Sequence, residues 1–488
     1  MNRFTNDIKR LVGFILVVLG LLFLFSVTSC SDSKEDTPKT EMRWIRRNSN
    51  SPEAGKDLIA LNKALEIMRK KDCKDPLSWY YQGAIHWIPD TIKNNRWCQF
   101  YHNVGDIQEG WDNCTHTPSG KEKLHFLVWH RLYIWHFEKI VRKLSGDSTF
   151  ALPYWSYTSN NERDKCMPDI FRDKHSALFE EARFDSLNQG WPISGEINRA
   201  LDLTKLMSYS NYKMFCLNIN AAPHGAMHDF IGAGNDTTGT LQFNNSITGT
   251  TTNTGLMGWV PTAAFDPIFW THHSNIDRIW QQWHNSTNGQ PVTREQLEEV
   301  EWPYVFFDET GKKVSYTIDE VLEILYKMDY DFDDTPVKEK ELRVQSEMPT
   351  KVIAQDSTSK KVSGKVTTGI KLTSPVTTTS NNSKVILEVV VSFTKVPKGV
   401  YEVYVNENGI HHPKNPTFAG FMTFFGADHK MSGKSCEKGC CRKLNKQGKP
   451  EFTFEFEVNS ASEYNISIYK DNGKHTGDLT IDRVSIIK

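Results

Sequence analysis

The chain has 488 residues, of which 38% are hydrophobic and 24% are charged, with 58 basic and 59 acidic side chains. This composition excludes a chain that is disordered throughout and allows one large core with one or two further domains. A formal net charge of -1 provides no basic surface for nucleic acid or for an anionic membrane, so neither is expected to bind the chain through charge.

The first thirty residues have the features of an export signal. Lys9 and Arg10 precede an unbroken apolar run over residues 11–25, and Val-Thr-Ser-Cys then ends at Cys30. The run is shorter than the roughly 20 residues that a membrane-spanning helix needs, which favours a cleaved signal. The segment resembles the signals of bacterial lipoproteins, which implies that the exported chain is lipid-anchored through Cys30 at the outer membrane or cell surface. Residues 31–52 are predicted to be a polar tether.

Residues 53–335 are predicted to form a mainly helical domain. Apolar residues recur at three- and four-residue spacing from Leu58 to Met68 and again from Ile134 to Leu144, as in amphipathic helices. The Trp and His residues of the chain gather in this domain, which indicates a site that uses aromatic rings. A segment rich in Thr, Asn and Gly, residues 237–258, is predicted to be a surface loop near that site.

The C-terminal third is predicted to contain a linker and a β domain. Residues 336–383 are rich in Lys, Ser and Thr and poor in large apolar residues, which predicts a linker. Beyond them the hydrophobic period becomes two, so residues 384–488 are predicted to form a β-sandwich.

Histidines stand in groups within the helical domain, at positions 86, 116, 125, 130, 224, 228, 272 and 273. Neutral imidazoles suit copper, zinc and iron, and a pair at i, i+4 such as His224 and His228 projects both rings from one helical face. That pair alone is weak evidence, because most such pairs are ordinary core or surface residues. A zinc-peptidase motif is excluded, because residues 225–227 are Gly, Ala and Met.

Two longer motifs strengthen the interpretation. Residues 126–138 begin Phe-Leu-Val-Trp-His-Arg, and residues 266–280 begin Asp-Pro-Ile-Phe-Trp-Thr-His-His. These segments resemble the two copper signatures of the type 3 copper proteins, a group that includes tyrosinase, catechol oxidase and haemocyanin. The resemblance covers roughly residues 76–333. It implies a mainly α core in which a four-helix bundle holds two copper ions, each bound by three histidines.

The resemblance also implies which histidines bind each ion. The first copper takes His86, His116 and His130, and the second takes His224, His228 and His273. The interval between His116 and His130 is longer than is usual in the family, so His125 is an alternative to His116.

Cys114 favours His116 as the ligand. A Cys-x-His sequence resembles the family's thioether between a cysteine sulfur and a ligand imidazole. A disulfide between Cys114 and either Cys98 or Cys73 is an equally good explanation, because an exported chain permits disulfides.

Three further residues are expected to lie behind the ligands. His272 and His273 point to different faces of one helix, so only one of them is expected to bind copper, and the resemblance assigns His273 and leaves His272 as a supporting donor. Glu138 and Asp277 follow ligands on the same helical faces. They are expected to accept a spare ring N–H or to form buried salt bridges.

The resemblance implies a copper oxidoreductase that uses dioxygen to oxidise o-diphenols or o-aminophenols to quinones. In relatives that hydroxylate monophenols, a glutamate and an asparagine after the first histidine of the second copper are thought to hold a water that takes the phenol proton. Gly225 follows His224 here, so weak or absent monophenol hydroxylation is predicted. A tyrosinase with monophenol monooxygenase activity and a haemocyanin-like oxygen-binding protein are the alternatives.

The C-terminal region resembles the shielding domain of plant polyphenol oxidases. Residues 404–406, Tyr-Val-Asn, and 418–420, Phe-Ala-Gly, carry this resemblance. It implies that Phe424 or Phe425 plugs the copper site until the linker is cut. The alternative is that both are ordinary aromatic residues of the β-domain core.

Overall fold

The computed structural model describes residues 43–88, 114, 124–195, 197–232, 240–299, 302–338, 351–371, 383–407, 417–427, 449–458, 463–470 and 478–488. The predicted export signal with Cys30, most of the predicted tether, Cys98 and His116 lie outside these residues. Within the ranges given, no helix combines the length and the apolar character that crossing a membrane requires.

The N-terminal two thirds of the chain is mainly helical. Its longer helices are α1 (Gly55–Met68), α2 (Trp79–His86), α3 (Phe126–Ser145), α4 (Tyr212–Ile219), α5 (Ala226–Ile231), α6 (Ile268–Asn285) and α7 (Ile318–Ile324). A π-helical turn, Asn220–Gly225, joins α4 to α5. Helices of four or five residues lie at Glu162–Lys165, Asp185–Asn188, Ile197–Ala200, Thr204–Met207, Val260–Ala263 and Arg294–Glu298, and 3-10 turns lie at Pro52–Ala54, Asp169–Phe171 and Leu256–Gly258.

The ends of the two longest helices follow from local chemistry. Helix α3 ends where Gly146 adopts a left-handed conformation with φ 75°, which other residues adopt only at a cost. Helix α6 begins after Asp266, whose carboxylate accepts the Ile268 N–H at 3.1 Å and so satisfies a backbone donor of the first turn. Both helices are largely buried, and they pack against each other.

In the part of the helical region that the structure describes, six short strands accompany the helices: β1 (Trp44–Arg46), β2 (Phe243–Asn245), β3 (Thr250–Thr252), β4 (Tyr304–Phe307), β5 (Lys313–Tyr316) and β6 (Tyr330–Phe332). Strand β1 pairs in parallel with β6, β2 pairs with β3, and β4 pairs with β5. The prediction of a polar tether up to residue 52 is wrong over β1. Arg46 in this strand is fully buried because two buried carboxylates neutralise it.

The described residues of the C-terminal part form two antiparallel sheets from nine strands: β7 (Val352–Asp356), β8 (Lys360–Lys361), β9 (Lys365–Lys371), β10 (Ser383–Phe393), β11 (Tyr401–Glu407), β12 (Thr417–Met422), β13 (Glu451–Val458), β14 (Glu463–Lys470) and β15 (Leu479–Ile487). One sheet has the order β13-β10-β15-β7, with β8 also paired to β15, and the other has the order β12-β11-β14-β9. Apolar residues from both sheets share one hydrophobic cluster.

The predicted linker, residues 336–383, is therefore wrong over residues 352–371. Strands β7 and β9 lie at the ends of their sheets, where polar side chains and a low content of large apolar residues are tolerated. The β region accordingly begins at β7 and not at residue 384. The prediction of a mainly helical core followed by a β-sheet region is confirmed, while the four-helix bundle and the sandwich geometry remain predictions.

Polar contacts attach the sheets to the helical part. Arg199 forms an ion pair of 2.6 Å with Glu402 of β11. The Tyr209 hydroxyl donates to the Ala419 carbonyl at 3.3 Å, and the Thr423 hydroxyl donates to the Ala221 carbonyl at 3.0 Å. The last of these contacts holds the segment after β12 against the π-helical turn that precedes α5.

Candidate metal centre

A first group of possible metal ligands lies between α2 and α3. His86 is the last residue of α2, and His130 lies on the second turn of α3. In the sequence, Cys114 stands between these two helices. Their nearest ligand atoms all lie within 4.8 Å of one another, and the three residues are buried. Cys114 Sγ is 3.6 Å from His130 Nε2. We call these residues cluster A.

A second group lies between α5 and α6. His224 belongs to the π-helical turn and His228 to α5, while His272 and His273 occupy the second turn of α6. Ring nitrogens of all four lie within 4.8 Å of one another, and all four side chains are buried. We call these residues cluster B.

The two clusters adjoin each other. The ring of His130 in cluster A stacks on that of His273 in cluster B, with centroids 4.2 Å apart and an interplanar angle of 8°. The ring of Phe269 packs against both clusters, and its centroid lies 4.9 Å from that of His86 and 4.2 Å from that of His273. Phe126 lies 4.8 Å from His130. The site is thus a pair of neighbouring imidazole groups with aromatic walls.

Hydrogen bonds fix the proton positions of three rings. Nδ1 of His130 lies 2.8 Å from the Phe126 carbonyl, Nδ1 of His224 lies 3.0 Å from the Asn220 carbonyl, and Nδ1 of His228 lies 2.9 Å from the Met257 carbonyl. A carbonyl oxygen only accepts, so each Nδ1 must carry the proton. In the neutral ring, Nε2 then keeps its lone pair, which is the form that binds a metal ion.

Burial keeps these rings neutral. It lowers the pKa of His130 and of His228 to about 3, and it places the pKa values of His224 and His273 well below 6.5. Neighbouring imidazoles lower the pKa of His224 and His273 further, because a charge on one ring opposes a charge on the next. A cluster of neutral, buried imidazoles suits a transition metal and gives no site for Mg²⁺ or Ca²⁺, which prefer oxygen ligands.

A family model for the common central domain of tyrosinase matches residues 76–198 and 182–286. The chain carries the central domain of the tyrosinase family. Both clusters lie inside this tyrosinase domain. Two copper ions are the cofactor of the family, and the neutral imidazoles of the two clusters fit them.

Curated relatives are tyrosinases and polyphenol oxidases. Tyrosinase HcTyr1 of Hahella sp. is 28% identical over 304 residues, which cover 53% of this chain and 57% of that protein. Polyphenol oxidase A1 of Vicia faba is 28% identical over 295 residues, which cover 56% of this chain and 45% of that protein. The chain thus spans about half the length of these curated relatives.

Two solved structures match both the helical and the β part. Latent aurone synthase has a TM-score of 0.60 at 18% identity, covering 92% of this chain and 90% of its own. Latent apple tyrosinase has a TM-score of 0.59 at 19% identity, and the match covers 91% of this chain and 96% of the apple chain. At this identity the likeness shows the fold alone.

Five of the six predicted copper ligands of the tyrosinase domain come together, namely His86, His130, His224, His228 and His273. His116 lies outside the described residues. The alternative ligand His125 belongs to neither cluster, and its Nδ1 lies 2.7 Å from the Tyr304 hydroxyl. This contact directs His125 to β4, so its assignment as a copper ligand is not supported by the geometry.

The structure also separates the two explanations of Cys114. Cys73 is disulfide-bonded, but Cys114 is not part of a disulfide. The disulfide prediction for Cys114 is therefore wrong. Its sulfur lies inside cluster A, where a thioether to a ligand imidazole remains a prediction.

His272 lies closer to the ligands than expected. We predicted that it would point to a different face of α6 from His273, yet both rings reach cluster B. Adjacent helical residues differ by about 100° in direction, which still allows two imidazoles to converge on one wide cavity. Nδ1 of His272 lies 2.8 Å from the buried Tyr157 hydroxyl, a contact that the sequence did not predict.

Glu138 and Asp277 form the predicted buried salt bridges. Arg46 lies 2.5 Å from Glu138 and 2.9 Å from Asp277, and Arg131 lies 2.5 Å from Asp277. Tyr330 also donates to Asp277. Asp277 lies on α6 and meets Arg131 of α3. These contacts join the helices that carry His130 and His273.

Two supporting residues gave no signal in the sequence. Arg46 stands in a polar segment without a motif, and its partners are 92 and 231 residues away. Arg183 forms a fully buried ion pair of 2.5 Å with Asp266, directly before α6. A buried arginine of this kind can be predicted from sequence only when the aspartate or glutamate that pairs with it is known to lie nearby.

The two candidate plug residues differ in position. Phe424 packs within the β region against Phe393, Tyr401 and Phe452. Phe425 stacks on His228, with centroids 4.1 Å apart and an interplanar angle of 15°, and lies 5.9 Å from His224. The β region therefore places Phe425, and not Phe424, against cluster B.

Gly225 allows this close approach. A Cβ atom at position 225 would lie 2.8 Å from the Thr423 hydroxyl and 3.4 Å from the Phe425 Cβ. A larger side chain after His224 would therefore collide with the segment that carries Phe425.

Proposed function

We propose that the chain is a type 3 copper oxidase that uses dioxygen to oxidise o-diphenols or o-aminophenols to quinones. The observation that carries the proposal is the pair of adjoining, buried imidazole clusters inside a tyrosinase domain. Bound as a pair, two copper ions would supply two electrons to dioxygen and accept two electrons from the diphenol.

The protein groups would have three tasks. His86, His130, His224, His228 and His273 would hold the ions, and His116 would complete the first set by the family resemblance. The carbonyl partners of the Nδ1 atoms keep three of these rings oriented, which lowers the cost of binding. The aromatic walls would exclude bulk water and receive a phenolic ring.

The ligand groups favour diphenols over monophenols. Among the described residues, both clusters contain only histidine and cysteine, without a carboxylate that could accept a phenol proton. Gly225 supplies no side chain after His224 that could hold a water for this purpose. A diphenol is easier to deprotonate and to oxidise, so its reaction depends less on such a base.

Oxygen uptake by the copper-loaded chain tests the proposal. We expect uptake with 4-methylcatechol to exceed uptake with 4-methylphenol by about 100-fold or more, which is a usual contribution of a positioned base. A copper chelator should abolish both. Rapid uptake with the monophenol, without a lag or added catechol, would show a tyrosinase with monophenol monooxygenase activity. Reversible oxygen binding without quinone formation would show a haemocyanin-like carrier.

We further propose that the β region shields the site. Phe425 covers the face of His228 that an aromatic substrate would otherwise reach. Access would then require the β region to move or to be released by cleavage between residues 338 and 351, because residues 352–371 belong to the sheets.

Finally, we propose that residues 1–30 direct export and that Cys30 carries a lipid anchor. In a bacterial host, the full chain should incorporate radiolabelled palmitate and fractionate with membranes. The Cys30→Ala chain should do neither. Equal labelling of both chains would exclude Cys30 as the lipid attachment site.

A further inference from the structure

His272 presents a nitrogen to the centre that the ligand assignment does not use. Its Nδ1 lies 2.8 Å from the Tyr157 hydroxyl, and both side chains are fully buried. Its Nε2 is buried and has no hydrogen-bond partner within the described part of the chain. A ring nitrogen of His272 lies within 4.8 Å of those of His224, His228 and His273. The residue therefore faces cluster B either as a fourth ligand or as a donor.

The position of the ring proton decides between these roles. A ring nitrogen with a lone pair binds a metal ion, whereas an N–H donates a hydrogen bond. His224 and His228 bond carbonyl oxygens, which force the proton onto Nδ1. His272 bonds a hydroxyl, which is itself able to donate. Its tautomer can therefore be opposite to that of the ligands.

Burial of Tyr157 determines the direction of this bond. A buried hydroxyl that does not donate loses free energy, and His272 Nδ1 lies within hydrogen-bond distance of it, while the side chain of Asn275 also bonds the hydroxyl and has an amide N–H to donate to its oxygen. When Tyr157 donates to Nδ1, the neutral ring of His272 carries its proton on Nε2. The ring lies 5.4 Å from that of His224 and 4.8 Å from that of His228, so it is held in place from two sides.

We propose that Tyr157 holds His272 with its proton on Nε2, so that His272 is a hydrogen-bond donor to an anionic oxygen at the metal centre and not a copper ligand. In the proposed reaction, that oxygen is the phenolate oxygen of the substrate. The inference rests on the proposed function, because it concerns the same copper centre.

Copper content tests the ligand question without any activity measurement. The full chain should bind two copper ions, and the His272→Gln chain should also bind two. The matched His273→Gln chain should bind about one. A loss of copper from His272→Gln comparable to that from His273→Gln would overturn the inference. Failure of the unmodified chain to bind copper would instead refute the proposed function.

Binding of benzoate, a carboxylate analogue of a phenolate, tests the donor role. Calorimetry on copper-loaded full chains that also carry Phe425→Ala, which opens the proposed shield, should show about tenfold weaker binding for His272→Phe, the usual effect of losing one hydrogen bond to a charged group. His272→Gln should retain most of the affinity, because its amide N–H can donate. Tyr157→Phe should weaken binding without reducing the copper content. Equal benzoate affinity with and without His272→Phe in this background would overturn the donor role.

Discussion

Replacing Phe425 by Ala is expected to raise oxygen uptake by the full copper-loaded chain with catechol about 10- to 100-fold. The ring stacks on His228 at 4.1 Å, and its removal takes away both the cover of the imidazole and a contact that holds the β region closed. Truncating a buried phenylalanine costs several kcal/mol, and each 1.4 kcal/mol changes a closed-to-open ratio tenfold. Initial rates at low catechol concentration measure the effect.

Phe418→Ala is the matched control for this prediction. Phe418 lies on β12, six residues before Phe424, and its ring contacts Tyr404 and Phe421. We expect a change in rate below about threefold, because the ring contacts of Phe418 are with Tyr404 and Phe421 of the β region and not with a histidine of either cluster. Equal rates for Phe425→Ala and the unmodified chain would refute the shielding proposal and leave the oxidase proposal intact.

Replacing Asp277 by Asn is expected to lower the free energy of unfolding by about 3–5 kcal/mol. Asp277 is nearly fully buried and balances the charges of Arg46 and Arg131, at 2.9 and 2.5 Å. The amide keeps the shape of the side chain but removes the charge, which leaves buried guanidinium groups undercompensated. Denaturant unfolding of the copper-free chain measures the change, because bound copper would stabilise the folded state separately.

Asp334→Asn provides the control for Asp277. Asp334 pairs with Arg278, but its side chain is 41% exposed, so water can replace much of the lost interaction. A loss below about 1 kcal/mol is expected for such a pair. A comparable loss of unfolding free energy in both variants would show that the buried ion pairs of Asp277 stabilise the fold no more than the exposed pair of Asp334. A larger loss for Asp277→Asn would confirm that it joins α3 and α6 behind the ligands.

The histidines of the two clusters could be predicted because their spacing and flanking motifs are local. His130 and His273 each lie in a continuous helical segment, so the sequence around them carries the full pattern. The supporting network could not be predicted in the same way. Arg46 meets Asp277 across 231 positions of sequence, and a single arginine in a polar segment gives no local indication of its partner.

The predictions failed or stayed open where tertiary packing, and not the local sequence, decides the outcome. Residues 352–371 have the composition of a linker, but edge strands need few large apolar residues. The prediction for His272 used helical direction alone, and the width of the cavity lets neighbouring rings converge. The choice between Phe424 and Phe425 depended on which face of the β region meets the helices, which the alternation of residues in the β region does not specify.

The short stretch between residue 338 and β7 has a consequence for release of the shield. In the proposed shielded state of the intact chain, the β region covers His228 as part of the same molecule, so its effective concentration is high and dilution has no effect. Once this stretch is cut, the same contacts, including the Arg199–Glu402 ion pair, hold two separate polypeptides. Activation would then depend on protein concentration and on salt, because dilution would let the cut β region dissociate from the helical part.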